Sequence, residues 1–132
     1  MGTGVCGQGG GVYIGTHKVV SLEEWAGTPK GGTVNDIPEF DTTAMVRLAC
    51  GQATMDGSFK GRWDSTDTAG QKALMAACLG RTSVSLVLKV TATETYTFTA
   101  FIETAPIKVP SQGIVEATFN YKSSGTITHA YA

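Results

Sequence analysis

The sequence predicts a mostly β domain, an antiparallel β-sandwich or partial barrel with one flanking α-helix. Three observations predict it. The 132 residues are the length of a single domain, spanning 1–132, and suffice for one modest core. Three segments in the second half alternate apolar and polar residues, the period of strands with one face in a core and one in water. A single Ala-rich stretch just before them carries helical spacing and helix-end signals.

The first ten residues, "MGTGVCGQGG", are too Gly-rich to pack alone and read as a flexible arm over 1–10. "GVYIG" and "HKVVSLEEW" follow as two short strands turning at Gly15-Thr16. From about residue 26 to 56 the pattern weakens. "AGTPKGGTVNDIPEF" is dense in Gly and Pro, "TTAMVRLAC" offers one short strand, and so long an irregular stretch reads as a functional or flexible loop. Alternation returns from Gly57 to Trp63, with Phe59, Gly61 and Trp63 on one side and Ser58, Lys60 and Arg62 on the other. After the Asp64 turn, Thr68 and Gln71 have capping-box spacing at the head of a helix of about eleven residues. Leu74, Met75, Cys78 and Leu79 form its apolar stripe, and Gly80 fits the left-handed position beyond its end.

Three strong strands complete the chain. "TSVSLVLKV" sets Val84, Leu86, Leu88 and Val90 against Ser83, Ser85 and Lys89. "TETYTFTAFIET" sets Tyr96, Phe98, Ala100 and Ile102 against Thr95, Thr97, Thr99 and Glu103. "GIVEATFNYKS" sets Val115, Ala117, Phe119 and Tyr121 against Ile114, Glu116, Thr118, Asn120 and Lys122. Pro106 and Pro110 bracket "IKV", which makes that segment an edge or a bend. The helix is expected to cover the apolar faces. The opposite faces are rich in small hydroxyls.

Charge and cysteine usage exclude several functions. A net charge of −1 with scattered Lys and Arg lacks the basic excess of a protein that grips nucleic acid by its phosphates. Only 16% of residues are charged, a low share that points to surface covered by another protein. Cys6, Cys50 and Cys78 are odd in number and widely spaced, which fits free thiols and neither a disulfide framework nor a zinc site. No secretory signal is expected after Met1, and the longest apolar run, "ALMAACL", is too short to span a membrane.

Asp64, Thr66 and Thr68 occupy the first, third and fifth positions of a calcium-type loop. Ala69 and Met75 stand where that loop needs Gly and a bidentate Glu, so Asp64, Asp67, Thr68 and Gln71 read instead as a structural corner and helix cap. "GQGGGVYIG" has spaced glycines but no following Lys-Ser/Thr and no helix, so it is no phosphate loop. His17 and His129 lack partners for nucleophilic chemistry, and His129 lies near a chain end expected to fray. Glu23-Glu24, Asp36, Glu39 and Asp41 read as solvated acids. Catalytic, metal and cofactor residues are therefore expected to be none. Trp25, Phe40, Phe101 and Tyr131 fall outside the apolar faces without a basic setting; Trp25, Phe40 and Phe101 are candidate subunit contacts.

"GSFKGRWDSTDTAGQKALMAAC", "VSLVLKV" and "YTFTAFIETAPIKVPSQGIVEATFNYKSSG" together resemble the tail tube proteins of long-tailed phages. The shared features are a Gly-x-Trp-Asp strand end running into a helix, "YTFTAFI" before a proline-flanked bend, and a final strand opening on Gly113-x-Val115 with Phe119. The closing Gly of that strand is displaced here to Gly125. The resemblance covers about Ala53 to Gly125 and is looser before it. It implies subunits that form six-fold rings, with the rings stacked into a hollow tube through which DNA passes. It further implies that the sheet joins its neighbours' sheets, that the 26–56 loop reaches the next ring, and that the arms order on stacking. No catalytic residue carries over.

On that reading the polar face of Ser83, Ser85, Thr95, Thr97, Thr99, Glu116, Thr118 and Asn120 is the candidate lumen lining. The implied partners are further copies of the chain, tape-measure, tail terminator and tail-tip or baseplate proteins, and DNA in transient passage. The implied location is the virion tail, after assembly in the host cytoplasm. The alternatives are a ring protein of a related contractile injection or secretion system, or a small ligand- or nucleic-acid-binding β-barrel.

Overall fold

The computed structural model describes residues 10–37 and 46–130, with the backbone path alone over 33–37 and 46–50. Its elements are β1 (Gly11–Ile14), β2 (His17–Lys18), β3 (Leu22–Lys30), β4 (Thr33–Ile37), β5 (Val46–Cys50), β6 (Thr54–Arg62), α1 (Gln71–Gly80), β7 (Ser83–Lys89), β8 (Thr95–Thr104), β9 (Ile107–Lys108) and β10 (Glu116–Ala130). Eight strands form one antiparallel sheet in the order β2-β1-β7-β8-β10-β6-β3, with β9 beside β10. The sheet curls into a half-barrel, and α1 packs against β8 and β7.

Alternation decides which side is dry. Leu86, Leu88, Phe98, Ala100, Ile102, Ala117, Phe119 and Tyr121 are all buried, joined by Phe59 and Met55 from β6 and Leu74 from the helix. Full burial of each large side chain contributes about 1.5–3 kcal/mol. Aromatic rings cross three strands in series. Phe59 lies 5.6 Å from Phe119 and 5.8 Å from Tyr121, and Tyr121 lies 5.6 Å from Phe98.

The segment 26–56 departs from the expected loop. β3 runs on to Lys30 and pairs with β6 as far as Thr54, and β4 pairs antiparallel with β5 from Thr33↔Cys50 to Ile37↔Val46. The segment is thus a long two-stranded ribbon interrupted by glycines. Gly32 and Gly51 both take left-handed φ, at 88° and 86°, which only glycine adopts without strain. Gly and Pro density hid the strands from a reading of local propensity. Phe40, Glu39, Asp41, Tyr131 and nearly all of the 1–10 arm lie outside the described residues.

Other boundaries also move. The expected strand "HKVVSLEEW" breaks at Ser21, whose φ is 62°. β10 continues to Ala130, past the expected end near Ser123, by absorbing a register shift between Ser124 and Thr128. The helix starts at Gln71 and includes Gly80. Arg81, not Gly80, takes the left-handed position at φ 55°, and its N–H meets the carbonyls of Ala77 and Cys78. Leu79, placed on the apolar stripe by spacing, is 78% exposed; Leu74 and Ala77 make the buried face.

One close approach sets the junction of β3 and β6. Gly27 and Gly57 stand opposite each other, and the Tyr121 hydroxyl reaches between the strands to donate to the Ala26 carbonyl at 3.0 Å. Burial, with the nearby Asp56 charge, pushes the Tyr121 phenol well above its usual range, so it stays a neutral donor. A Cβ on Gly57 would collide with the Ala26 carbonyl and lie 2.8 Å from Gly27 Cα. Gly57→Ala is therefore expected to lower stability by about 1–3 kcal/mol, the range of core overpacking. Gly31→Ala, whose Cβ would meet nothing within 4 Å, is expected to change it by less than about 0.5 kcal/mol. Urea denaturation of the two variants beside the parent checks this.

Candidate assembly surfaces and the helix corner

The corner between β6 and α1 is a hydrogen-bonded clasp. Asp64 Oδ1 accepts from the Thr66 N–H at 2.9 Å and from its hydroxyl at 2.6 Å, a local turn of the kind Asp favours. Asp67 is buried. Its Oδ2 accepts the N–H groups of Val20 and Gln71, each at 3.1 Å, and its Oδ1 lies 2.7 Å from His17 Nε2. Gln71 is fully buried. Its Oε1 accepts the Asp64 N–H at 2.9 Å, and its Nε2 donates to the carbonyls of Val20 and Arg62, each at 2.8 Å. Two side chains thereby join the start of the helix, the end of β6 and the loop before β3.

The expected capping box is not the one formed. The N-cap is Gly70, with no side-chain cap, and Thr68 is exposed. Asp67, four residues before Gln71, caps the first free helical N–H instead, and the Gln71 amide turns away to bridge the corner. Gly70 is buried, and a Cβ there would strike the Asp67 carboxylate. Burial works to raise the Asp67 carboxyl. The His17 hydrogen bond, the Val20 and Gln71 N–H groups and the His17 charge outweigh it and hold the group below its usual value.

The polar face of β7, β8 and β10 holds all eight residues expected there, but in two patches. Ser85 stands opposite Thr99, and Thr97 opposite Val87. On its other side β8 pairs Thr99 with Ser124 and Thr97 with Thr128, so Ser83, Ser85, Thr95, Thr97 and Thr99 join hydroxyls from the late part of β10. Glu116, Thr118 and Asn120 instead face Arg62, Lys60 and Ser58 of β6. This second patch sets acids beside bases across strands, whereas the first carries Lys89 opposite Thr95 among its hydroxyls. Asn120 donates to the Thr104 hydroxyl at 2.6 Å.

Of the aromatic contact candidates, Phe101 is 45% exposed and sits in register with Ser83 and Lys122, on the same face as Thr97 and Thr99. Trp25 points the other way. It packs on the core, meets Tyr96 edge-on at 6.5 Å and donates its Nε1–H to the Lys89 carbonyl at 3.0 Å. The curl of the sheet brings β3 over the far end of β7, and that turns an apparently free ring into an internal brace. His129 also escapes the expected frayed end. Its ring stacks on Tyr96 at 4.1 Å, and its Nε2 lies 3.0 Å from Glu94.

Between the two ends of the sheet lies an open cleft of about 730 Å³, lined by Val12, Val19, Leu22, Trp25 and Lys89 among others. Ser21 is its hydroxyl, and no histidine lines it. Among the described residues no three His, Cys, Asp or Glu side chains gather as a metal site would require. Exposed apolar side chains collect elsewhere, at Ile107, Val109 and Ile114 in the connection from β8 to β10.

No protein-family model matches the sequence, and no curated protein is similar to it in sequence. Solved structures share the fold. A chain of the native gene transfer agent virion superposes with a TM-score of 0.81, at 10% identity, over 96% of this chain and 98% of that one. A chain from the tail of the empty gene transfer agent particle, of C6 symmetry, gives 0.80 at 10% identity with the same coverage. The SPP1 tail tube gives 0.69 at 15% identity over 98% of this chain and 80% of that one. The tube-terminating cap of the anti-feeding prophage gives 0.62 at 12% identity over 100% and 94%.

Removing the Asp67 charge should expose the role of the clasp. Asp67→Asn places an amide N–H₂ where a carboxylate oxygen accepts, and is expected to cost about 1–3 kcal/mol near neutral pH. A carboxyl held low in the folded state stabilises the fold above its unfolded value, about 3.9, and loses that contribution as pH falls through the folded value. Urea titrations from pH 7 to acid should show the parent converging on Asp67→Asn below about pH 4. A constant gap across that range would contradict the assignment.

Proposed function

We propose that the chain is a structural subunit that assembles with copies of itself into stacked six-membered rings, forming the hollow tail tube of a phage or phage-like particle. One observation carries the reading: nearly the whole chain superposes on chains from tail structures that are themselves assembled tubes. An antiparallel half-barrel with an open cleft between its ends suits ring closure, since sheet edges that face a neighbour need no other protection. The C6 symmetry of one similar tail supports six copies per ring.

In this reading the ribbon of β4 and β5 reaches the next ring. It pairs only with itself among the described residues, and a lone two-stranded ribbon is marginal without something to pack on. The polar face of β7, β8 and β10 lines the lumen, and Phe101 goes there with it. DNA leaves through that lumen toward the host. A tape-measure protein, a terminator and a tail tip are the further partners, and the virion tail is the destination after assembly in the host cytoplasm. A second reading, a tube component of a contractile injection system, draws on the likeness to the anti-feeding prophage cap.

Negative-stain electron microscopy of the concentrated protein tests assembly. Rings or hollow tubes are expected, and a chain that stays monomeric at every concentration would end the proposal. Thr97→Cys tubes, with Cys6, Cys50 and Cys78 replaced by serine, test the lumen. A small maleimide should label them, while a maleimide on a bulky carrier should not. Equal labelling by both would put that face outside.

A further inference from the structure

The β3, β6, β10 and β8 strands, neighbours in that part of the sheet, carry the charged patch of the wet face. Three of its lysines are matched one by one, while Lys108 of β9 stands exposed opposite Glu116 at its edge. Lys60 Nζ lies 3.2 Å from Glu24 Oε1, Lys30 Nζ 3.0 Å from Asp56 Oδ2, and Lys122 Nζ 2.8 Å from Glu103 Oε2. Each pair joins two strands, and each lysine side chain is more than half exposed. Arg62 stands opposite Glu116 in the next register position. Across β7, Lys89 lies over the Tyr13 ring at 4.2 Å.

Stability does not account for this arrangement, because exposed ion pairs contribute little to it. Electrostatics toward a third party accounts for it better. A free lysine that contacts a phosphate releases a condensed counterion, and each such contact steepens the salt dependence of binding by about 0.9. Repeated around a ring and along a stack, even weak contacts of this kind would sum to a strong hold on a polyanion. A carboxylate seated on each ammonium removes the contact. The Glu103 hydrogen bond and charge hold the Lys122 ammonium above its usual value, so pairing keeps it charged, and neutrality comes from the partner.

We infer that Glu24, Glu103 and Asp56 are guard carboxylates, which hold Lys60, Lys122 and Lys30 in neutral pairs so that a duplex polyanion slides past this face without being retained. The inference rests on the reading of the wet face as a conduit lining, and it names the residues that set that lining's indifference to DNA.

Fluorescence anisotropy with a short labelled DNA duplex, titrated with NaCl, tests it on the purified protein. Glu24→Gln with Glu103→Gln frees two lysines. It is expected to bind at least about tenfold tighter than the parent at low salt, with a log–log salt slope steeper by about 1–2. A reversed-pair variant keeps the pairs and exchanges their signs: Glu24→Lys with Lys60→Glu, and Glu103→Lys with Lys122→Glu. It is expected to bind as weakly as the parent. Equal binding by the parent and the Gln variant overturns the inference, as does tight binding by the parent or by the reversed-pair variant. The assay needs no tube. A protein that never assembles would defeat the assembly reading alone, while a Gln variant that gains nothing would defeat the guard residues alone.

Discussion

The Asp67–Gln71 clasp is the constraint on which the rest of this fold leans. A half-barrel closed by a single helix has to fix where the helix enters, because its buried face must meet β7 and β8 and no other surface. Two buried polar side chains do that here. The Gln71 side-chain amide uses both of its N–H donors and one oxygen lone pair, and the Asp67 carboxylate receives two backbone donors and His17. Groups buried this deeply are costly if left unpaired. The clasp therefore holds as a unit, and it ties the loop before β3 to the end of β6.

The opposite end of the sheet is governed by close packing. Tyr121 inserts where Gly27 and Gly57 leave room, and Trp25 reaches across to the Lys89 carbonyl. Both contacts join elements far apart in sequence. They pull β3 over the core and give the sheet its curl, while the wet face is left to hydroxyls and matched charges. A surface of that kind suits a partner that must pass or repeat, and the apolar side chains at Ile107, Val109 and Ile114 lie outside it.

Much of this was legible in the sequence. The alternation in β7, β8 and β10 named the core face residue by residue, because a period of two has only one way to sit on a half-buried sheet. The helix was legible from composition. What local pattern could not show were contacts set by tertiary distance. Thr68-x-x-Gln71 has the spacing of a capping box, but Gln71 finds better partners on Val20 and Arg62, which lie on other elements. Trp25 looked free because its acceptor is 64 residues away. The β4–β5 ribbon was masked by glycines that mark a kink within paired strands. The charge pairs were unreadable for the same reason: Glu24 and Lys60 become neighbours only through register.

Native-state amide hydrogen exchange at Val20, Asp64 and Gln71 tests the clasp most directly, since these three N–H groups donate to its two side chains. If the clasp anchors the fold, they exchange only through global unfolding, at the rate of core amides such as that of Leu88. Exchange at the rate of an open loop, with the core amides still protected, would show that the corner opens without the sheet and would contradict the account.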